Sequence, residues 1–294
     1  MMRSLYSAVS GLRNHQTKMD VIGNNIANVN TVGFKKDRTS FADMLSQTLQ
    51  GASTPSATQG GTNPMQVGLG VTMGSIDTIM TQGSAETTGK DTDLMIQGDG
   101  FFVLNNNGQQ VFTRAGNFDT DAKGNLVDVA SGAQVQGYAF NSSGVEAATA
   151  TPIINLVKGQ TVPGLSGTAT DVLSSFSIDQ TGTITGIFTD SVKNTTTARK
   201  IAQLQLANFA NPAGLANVGG NFYAVSNNSG AMIAGTAGNN GTGEIIAGAL
   251  EMSNVDLSQE MTDMIVAQRG FQANSRVITV SDSLLEELIN LKRS

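Results

Sequence analysis

The apolar positions at the two ends of the chain recur with a helical period, while those of the middle alternate or come in short bursts. Leu5, Leu12, Met19 and Ile26 fall every seventh residue, and Ala8, Val9, Ile22 and Val29 widen the same side into a stripe. Residues spaced by three, four and seven share one helix face, so this pattern predicts an amphipathic helix. Gly11 and Gly23 are expected to break it, and the turn-prone run from Asn28 to Gly33 to end it. Near the other end Asp256 is a candidate N-cap, with Gln259 three residues on as its capping-box partner, and no proline follows before Ser294. Leu257, Met264, Phe271, Ile278 and Leu285 again fall every seventh residue. The neighbouring seam is mixed, because Met261 and Ile289 are apolar while Gln268, Ser275 and Asp282 are not. A heptad carried this far suits helix against helix better than helix against sheet.

The middle, from about 70 to 250, reads as short strands. The bursts Leu94–Ile96, Phe101–Leu104 and Val111–Phe112 are separated by turns at 98–100 and 106–108. FSIDQTGTITGIF alternates Phe176, Ile178 and then Ile184 around a hairpin turn at 180–182. IAQLQLANF alternates Ile201, Leu204 and Leu206, and the slip in phase before Phe209 marks a bulge or the strand's end. No βαβ spacing occurs, so the fold class is mixed α and β with the two kinds segregated: terminal helices in a coiled-coil-like domain and a central antiparallel β domain. The expected division is 1–33 for the first helix, 34–69 for an extended linker, 70–250 for the β domain and 251–294 for the last helix. Within the linker, residues 50–65 are Gly, Ser, Thr and Pro with almost nothing to bury, and 141–170 reads as a small polar excursion.

Composition narrows the function classes. A chain of 294 residues is long enough to bury a real core. Lys plus Arg is 17 and Asp plus Glu is 23, and the net charge of -6 lacks the clustered cations that grip phosphates, so no nucleic-acid partner is expected. With no cysteine there are neither disulfides nor thiolate sites. The opening residues lack a continuous apolar core and do not read as a cleaved signal peptide, and no run approaches the roughly 18 to 20 apolar residues of a membrane span. His15 is the single histidine, which excludes a histidine-centred triad or multi-histidine metal site, and it reads as a polar group on a helix surface. DTDAKGNL, from Asp119, imitates the start of a calcium loop, but Lys123 occupies a ligand place and Ala130 stands where a bidentate Glu belongs, so a β-turn is expected. Glu286 and Glu287 diverge as adjacent helix positions. No catalytic residue, cofactor or metal is expected, and the chain does not read as an enzyme.

Two long runs carry a resemblance. SGLRNHQTKMDVIGNNIANVNTVGFK, residues 10–35, and GALEMSNVDLSQEMTDMIVAQRGFQANSRVITVSDSLLEELINLKR, residues 248–293, closely resemble the two halves of the signature shared by the rod and hook proteins of the bacterial flagellum. DLMIQGDGFFVL, FTRAGNF, LANFANPAGL and GNFYAVSNNSG extend the likeness over most of the chain. The resemblance implies terminal helices paired in the inner wall of a tube, an outer β domain, and export through the flagellar secretion channel without signal cleavage, to a place outside the cell body. IGNNIANVNTVGFK, SFADML, VGLGVTMGSI and the ending INLKR look more like the hook than the distal rod, which implies a short hook subunit, with the distal rod subunit as the alternative. A scaffold that regulates hook length is the reading from another class. The partners so implied are copies of the chain itself, the distal rod protein at the base, the hook–filament junction and hook cap proteins at the tip, and the export machinery, without membrane insertion.

In such a tube Leu257, Met261, Met264, Phe271, Ile278 and Leu285 are expected to pack between helices against Leu5, Leu12, Met19 and Ile26. Asn24, Asn25, Asn28, Asn30 and Gly33 are expected as helix-end and turn residues, as are Asp256 and Gln259 at the start of the last helix. Because a lone pair of interrupted helices encloses little core, both ends are expected to order on assembly.

Overall fold

A computed structural model describes residues 2–55, 60–140, 151–152, 156, 171–190 and 196–293. The first helix, α1, runs Met2–Ala27 without a break at Gly11 or Gly23. Propensity alone disfavours glycine by about 1 kcal/mol per residue. Packing overrides it here, because a Cβ at position 11 would lie 2.6 Å from Asn274 Nδ2. The last helix, α2, runs Leu257–Arg293. Asp256 caps it, its Oδ1 accepting the Ser258 and Gln259 N–H groups at 2.9 and 3.3 Å.

The two helices pack along a seam of small and polar residues. On α1 the buried positions are Ala8, Gly11, Ile22 and Asn25. On α2 Glu260, Ala267 and Ser281 are buried, and Asn274 is half-buried between them in the same heptad place. Met264, Phe271, Ile278 and Leu285 flank this line, half-buried. The second seam therefore falls three residues after the first, not four. His15 is not the surface group its polarity suggests. It lies so close over Gly270 that a Cβ there would come within 2.6 Å of Cε1, with Phe41 edge-on at 5.8 Å and Nδ1 buried without a hydrogen-bond partner.

Residues 34–69, expected as an extended linker, contain paired strands. Asp37–Asp43 pairs antiparallel with Val71–Thr78, and Ser46–Gln50 with Met65–Gly68. This ribbon is tied to α1 at two levels: Asn14 Nδ2 donates to Val71 O at 2.8 Å, and Asn25 exchanges bonds with both backbone groups of Asp37. Helices and ribbon, residues 1–28, 36–79 and 255–294, form one unit.

Residues 29–35 and 80–254 form the other unit. Its main sheet has the spatial order 171–178, 183–190, 196–204, 134–139, 101–106, 109–113, 222–224 and 216–219, with each neighbouring pair antiparallel. Strand Phe101–Asn106 is buried on both faces, which explains the unbroken apolar run FFVL: Phe102 and Leu104 enter one core with Leu94, Phe118, Phe188 and Ile245, while Phe101 and Val103 enter a second with Phe112, Phe209 and Tyr223. Asn107 and Gly108, with φ of 50° and 89°, form the two-residue turn into the next strand. The phase slip before Phe209 falls at the end of strand 206–208, and the chain changes partner earlier, after Leu204: 196–204 pairs with 183–190 and 134–139, whereas 206–208 pairs with 101–102 and 233–235. Asp121 closes the turn at 119–126, accepting from the Lys123 and Asn125 N–H groups at 2.8 Å each. The excursion at 141–170 lies outside the described residues except for Thr151–Pro152, paired with Gln136–Gly137, and the buried Leu156.

Two measurements check this packing. Phe102→Ala, in the larger core, should cost about 3–5 kcal/mol in urea unfolding, whereas Val218→Ala, at a side chain 63% exposed, should stay within about 0.5 kcal/mol. Burial, reinforced by Lys18, holds the His15 pKa below its ordinary value, so the folded helix pair resists a proton that the unfolded chain accepts. The contribution is complete above about pH 6.5 and is lost as pH falls below it. Helical melting should therefore drop more steeply between pH 7.5 and 5.5 for the natural chain than for His15→Phe.

Candidate functional site

Helices packed on each other normally bury their apolar faces and turn polar ones to water. The helical unit departs from this. Val277, Val280, Leu284, Leu288 and Leu291 follow one another at steps of three and four along α2, and all are exposed. Leu257 and Met261 at its start are exposed as well, as are Met2, Tyr6 and Val9 on α1 and Leu45, Leu49, Met65 and Val67 on the ribbon. Apolar positions of this number, gathered in one unit, mark a surface for association.

The structure distributes the expected packing residues over this unit as follows. Leu5, Leu12, Met19 and Ile26 are half-buried on α1, as are Met264, Phe271, Ile278 and Leu285 on α2, and Leu257 and Met261 stand outward. Among the helix-end residues, Asn28 Nδ2 donates to the backbone and side-chain oxygens of Asn24 at 3.0 and 2.7 Å. Asn25 does something else. Its side chain is buried, donating to Asp37 O at 2.9 Å and Glu260 Oε2 at 3.2 Å while Oδ1 accepts the Asp37 N–H at 3.0 Å. It fixes the ribbon's first strand to α1, with Lys36 Nζ 3.7 Å from Glu260 Oε1 beside it. Asn30 is exposed, as are Asp256 and Gln259.

Gly33 belongs to the β unit, where it seats a strap formed by residues 29–35. Its φ is +69° and a Cβ would meet Ala115 N at 2.5 Å, so the backbone passes where no side chain fits. Its N–H donates to Glu251 O at 2.7 Å, and Asn221 Nδ2 donates to Val32 O at 3.1 Å. Beneath the strap lies a cluster of charges that sequence reasoning missed. The Lys35 and Glu251 side chains are both 0% exposed and meet at 2.6 Å, and Arg114, 4% exposed, brings Nε within 3.3 Å of Glu251 Oε2. Burial pushes the Lys35 ammonium and the Arg114 guanidinium below their ordinary values, and Glu251 opposes the shift in both. Arg114 in VFTRAGNF and Glu251 in GALEM are lone charges among apolar and small neighbours, which hints at burial but names no partner.

Among the described residues no group of three or more His, Asp or Glu side chains is placed to hold a metal ion, and no helix is long and apolar enough to cross a membrane.

The chain matches three family models along its length: Flagella basal body rod protein over residues 5–35, Flagellar hook protein FlgE/F/G D1 domain over 95–186, and Flagellar basal body rod FlgEFG protein C-terminal over 246–291. It is 47% identical to the flagellar basal-body rod protein FlgG of Bacillus subtilis over 294 residues, covering all of both chains. It is 37% identical to FlgG of Borreliella burgdorferi over 298 residues, again covering both chains in full. Against the flagellar hook protein FlgE of Borreliella burgdorferi it is 34% identical over an alignment of 446 residues that takes in 99% of this chain and all of the relative. The chain therefore belongs to the rod and hook protein family of the bacterial flagellum.

Proposed function

We propose that this chain is a rod subunit of the FlgG kind, a structural protein and not an enzyme, which polymerises into the axial tube of the flagellar basal body and transmits torque. The observation that carries this reading is end-to-end identity of 47% to a rod protein of matching length. The hook reading drawn from SFADML and VGLGVTMGSI is the weaker one, since the alignment to the hook relative runs to 446 residues against the 294 of this chain. Rod relatives align over 294 and 298 residues, whereas the alignments to hook relatives run to 446 and 468.

The exposed stripe on α2 supplies the physical means. A tube of identical subunits needs one surface to meet a different surface of the next copy, so that the operation never closes on itself. Each apolar side chain buried in that contact contributes roughly 1.5–3 kcal/mol, against about 0–1 for an exposed ion pair such as Arg38 with Asp77. Packing holds the wall, through the stripe and through Leu5, Leu12, Met19, Ile26, Met264, Phe271, Ile278 and Leu285. The partners are other copies of the chain and neighbouring flagellar proteins along the axis, and the place is the flagellum outside the cytoplasm.

Replacing Phe271 and Ile278 together with aspartate should abolish polymerisation, seen as loss of tubes by electron microscopy, while the β unit keeps its melting temperature. To separate rod from hook, the chain should be expressed in one strain lacking its distal rod subunit and in another lacking its hook subunit. Rods completed in the first strain alone are expected; hooks restored in the second would overturn the assignment.

A further inference from the structure

The chain passes between its two units after residues 28, 35, 79 and 254. Three of these passages have their roots in the buried charge cluster of the β unit. Lys35 is the last residue of the strap, Thr81 and Gly83 follow closely on the passage after residue 79, and Glu251 lies just before the one after residue 254. Glu251 Oε1 accepts from Lys35 Nζ at 2.6 Å and from the Gly83 N–H at 2.9 Å, and Lys35 Nζ also donates to Thr81 O at 2.8 Å. The backbone adds Gly33 N–H to Glu251 O at 2.7 Å and Met252 N–H to Ser84 O at 2.9 Å. From the sheet side Arg114 faces Glu251 Oε2 while its Nη1 and Nη2 donate to Gly100 O and Gly98 O at 2.8 and 2.7 Å.

We infer that this cluster is a clamp that makes the three roots one cooperative unit, so that load arriving along any connecting segment is shared among them and does not peel one root away. The load rests on the reading of the chain as a subunit of a torque-bearing tube; the clamp itself does not. Its cooperativity follows from where the bonds end. Each root supplies a donor or acceptor to another, and the shared atom, Glu251 Oε1, belongs to a side chain with no exposure to water. If the strap leaves, Glu251 loses its ammonium; if the 81–83 segment leaves, Oε1 loses a backbone donor and Lys35 an acceptor. Arg114 still faces Glu251 Oε2 when a root leaves, but Oε1 or the Lys35 ammonium is then short of a hydrogen-bond partner in a site closed to water, which costs more than a broken surface contact, so partial opening is disfavoured against opening together. Gly33 sets the register. Lys36 offers the same charge one residue on, but sliding it into the slot would bring Phe34 to the place where Ala115 N admits no Cβ.

The test is amide hydrogen exchange on the full-length, unassembled chain, with Gly33, Gly83 and Met252 reporting the three roots and Val103 and Phe112 the sheet. In the natural chain, denaturant below the unfolding transition should bring the three root amides onto a single opening with one shared slope, easier than that of the sheet. Lys35→Met should raise the opening of all three on the order of 100-fold and leave Val103 and Phe112 unchanged. Faster exchange at Gly33 alone would overturn the clamp and make the cluster a local anchor. Should Lys35→Met fail to fold, the natural chain decides, because separate slopes for the three amides refute the proposal. Tube formation is not involved, so failure of the clamp leaves the polymer reading standing, and loss of that reading leaves the clamp.

Discussion

The pairing of α1 with α2 is made through residues too small or too polar to bury much apolar surface, and this constraint shapes the helical unit. Gly11 beneath Asn274 and Gly270 beneath His15 bring the helix backbones close, and the buried line on α2 is Glu260, Ala267 and Ser281. A leucine in that line would bury roughly 1.5–3 kcal/mol of apolar contact, while an amide or serine contributes only its hydrogen bonds, about 1 kcal/mol net each. The larger apolar residues lie beside or outside the line. A single chain therefore leaves Val277, Val280, Leu284, Leu288 and Leu291 on the surface, where another molecule could cover them.

The β unit follows the opposite rule. Large side chains pack inside it, on both faces of strand Phe101–Asn106, and its two cores contain six phenylalanines at 0–4% exposure, Phe101, Phe102, Phe112, Phe118, Phe188 and Phe209. Such a unit covers most of its apolar surface within itself. Its buried charges are a different matter, since a well-packed apolar replacement of a buried ion pair is often as stable. Lys35, Arg114 and Glu251 are better understood as setting which segments meet and in what register, with Gly33 supplying the steric stop.

The same polar logic recurs in the helical unit at Asn25. A side-chain amide matches the backbone N–H and C=O of Asp37 as another backbone segment would, and it spends its remaining donor bond on Glu260. One residue thereby joins α1, the ribbon and α2, a set of contacts that its place among the helix-end asparagines does not reveal.

Local pattern was sufficient for the elements. The heptads of Leu5 to Ile26 and Leu257 to Leu285, the cap at Asp256 and the hairpin turns at 106–108 and 180–182 depend on neighbours a few residues away, and they are legible from the sequence for that reason. The segregation of helix and antiparallel sheet was legible in the same way. What only the tertiary structure decided are the contacts between residues far apart in the chain: the choice of Ala267 and Ser281 as the second seam of α2, the passage of α1 unbroken through two glycines, the pairing of 37–50 with 65–78 as a ribbon, and the meeting of Lys35, Arg114 and Glu251. Periodicity states that a face is apolar without stating what covers it, and a lone charge states that a partner is needed without stating which one. Those answers require the chain to be closed over loops of tens to hundreds of residues, and no local spacing records that closure.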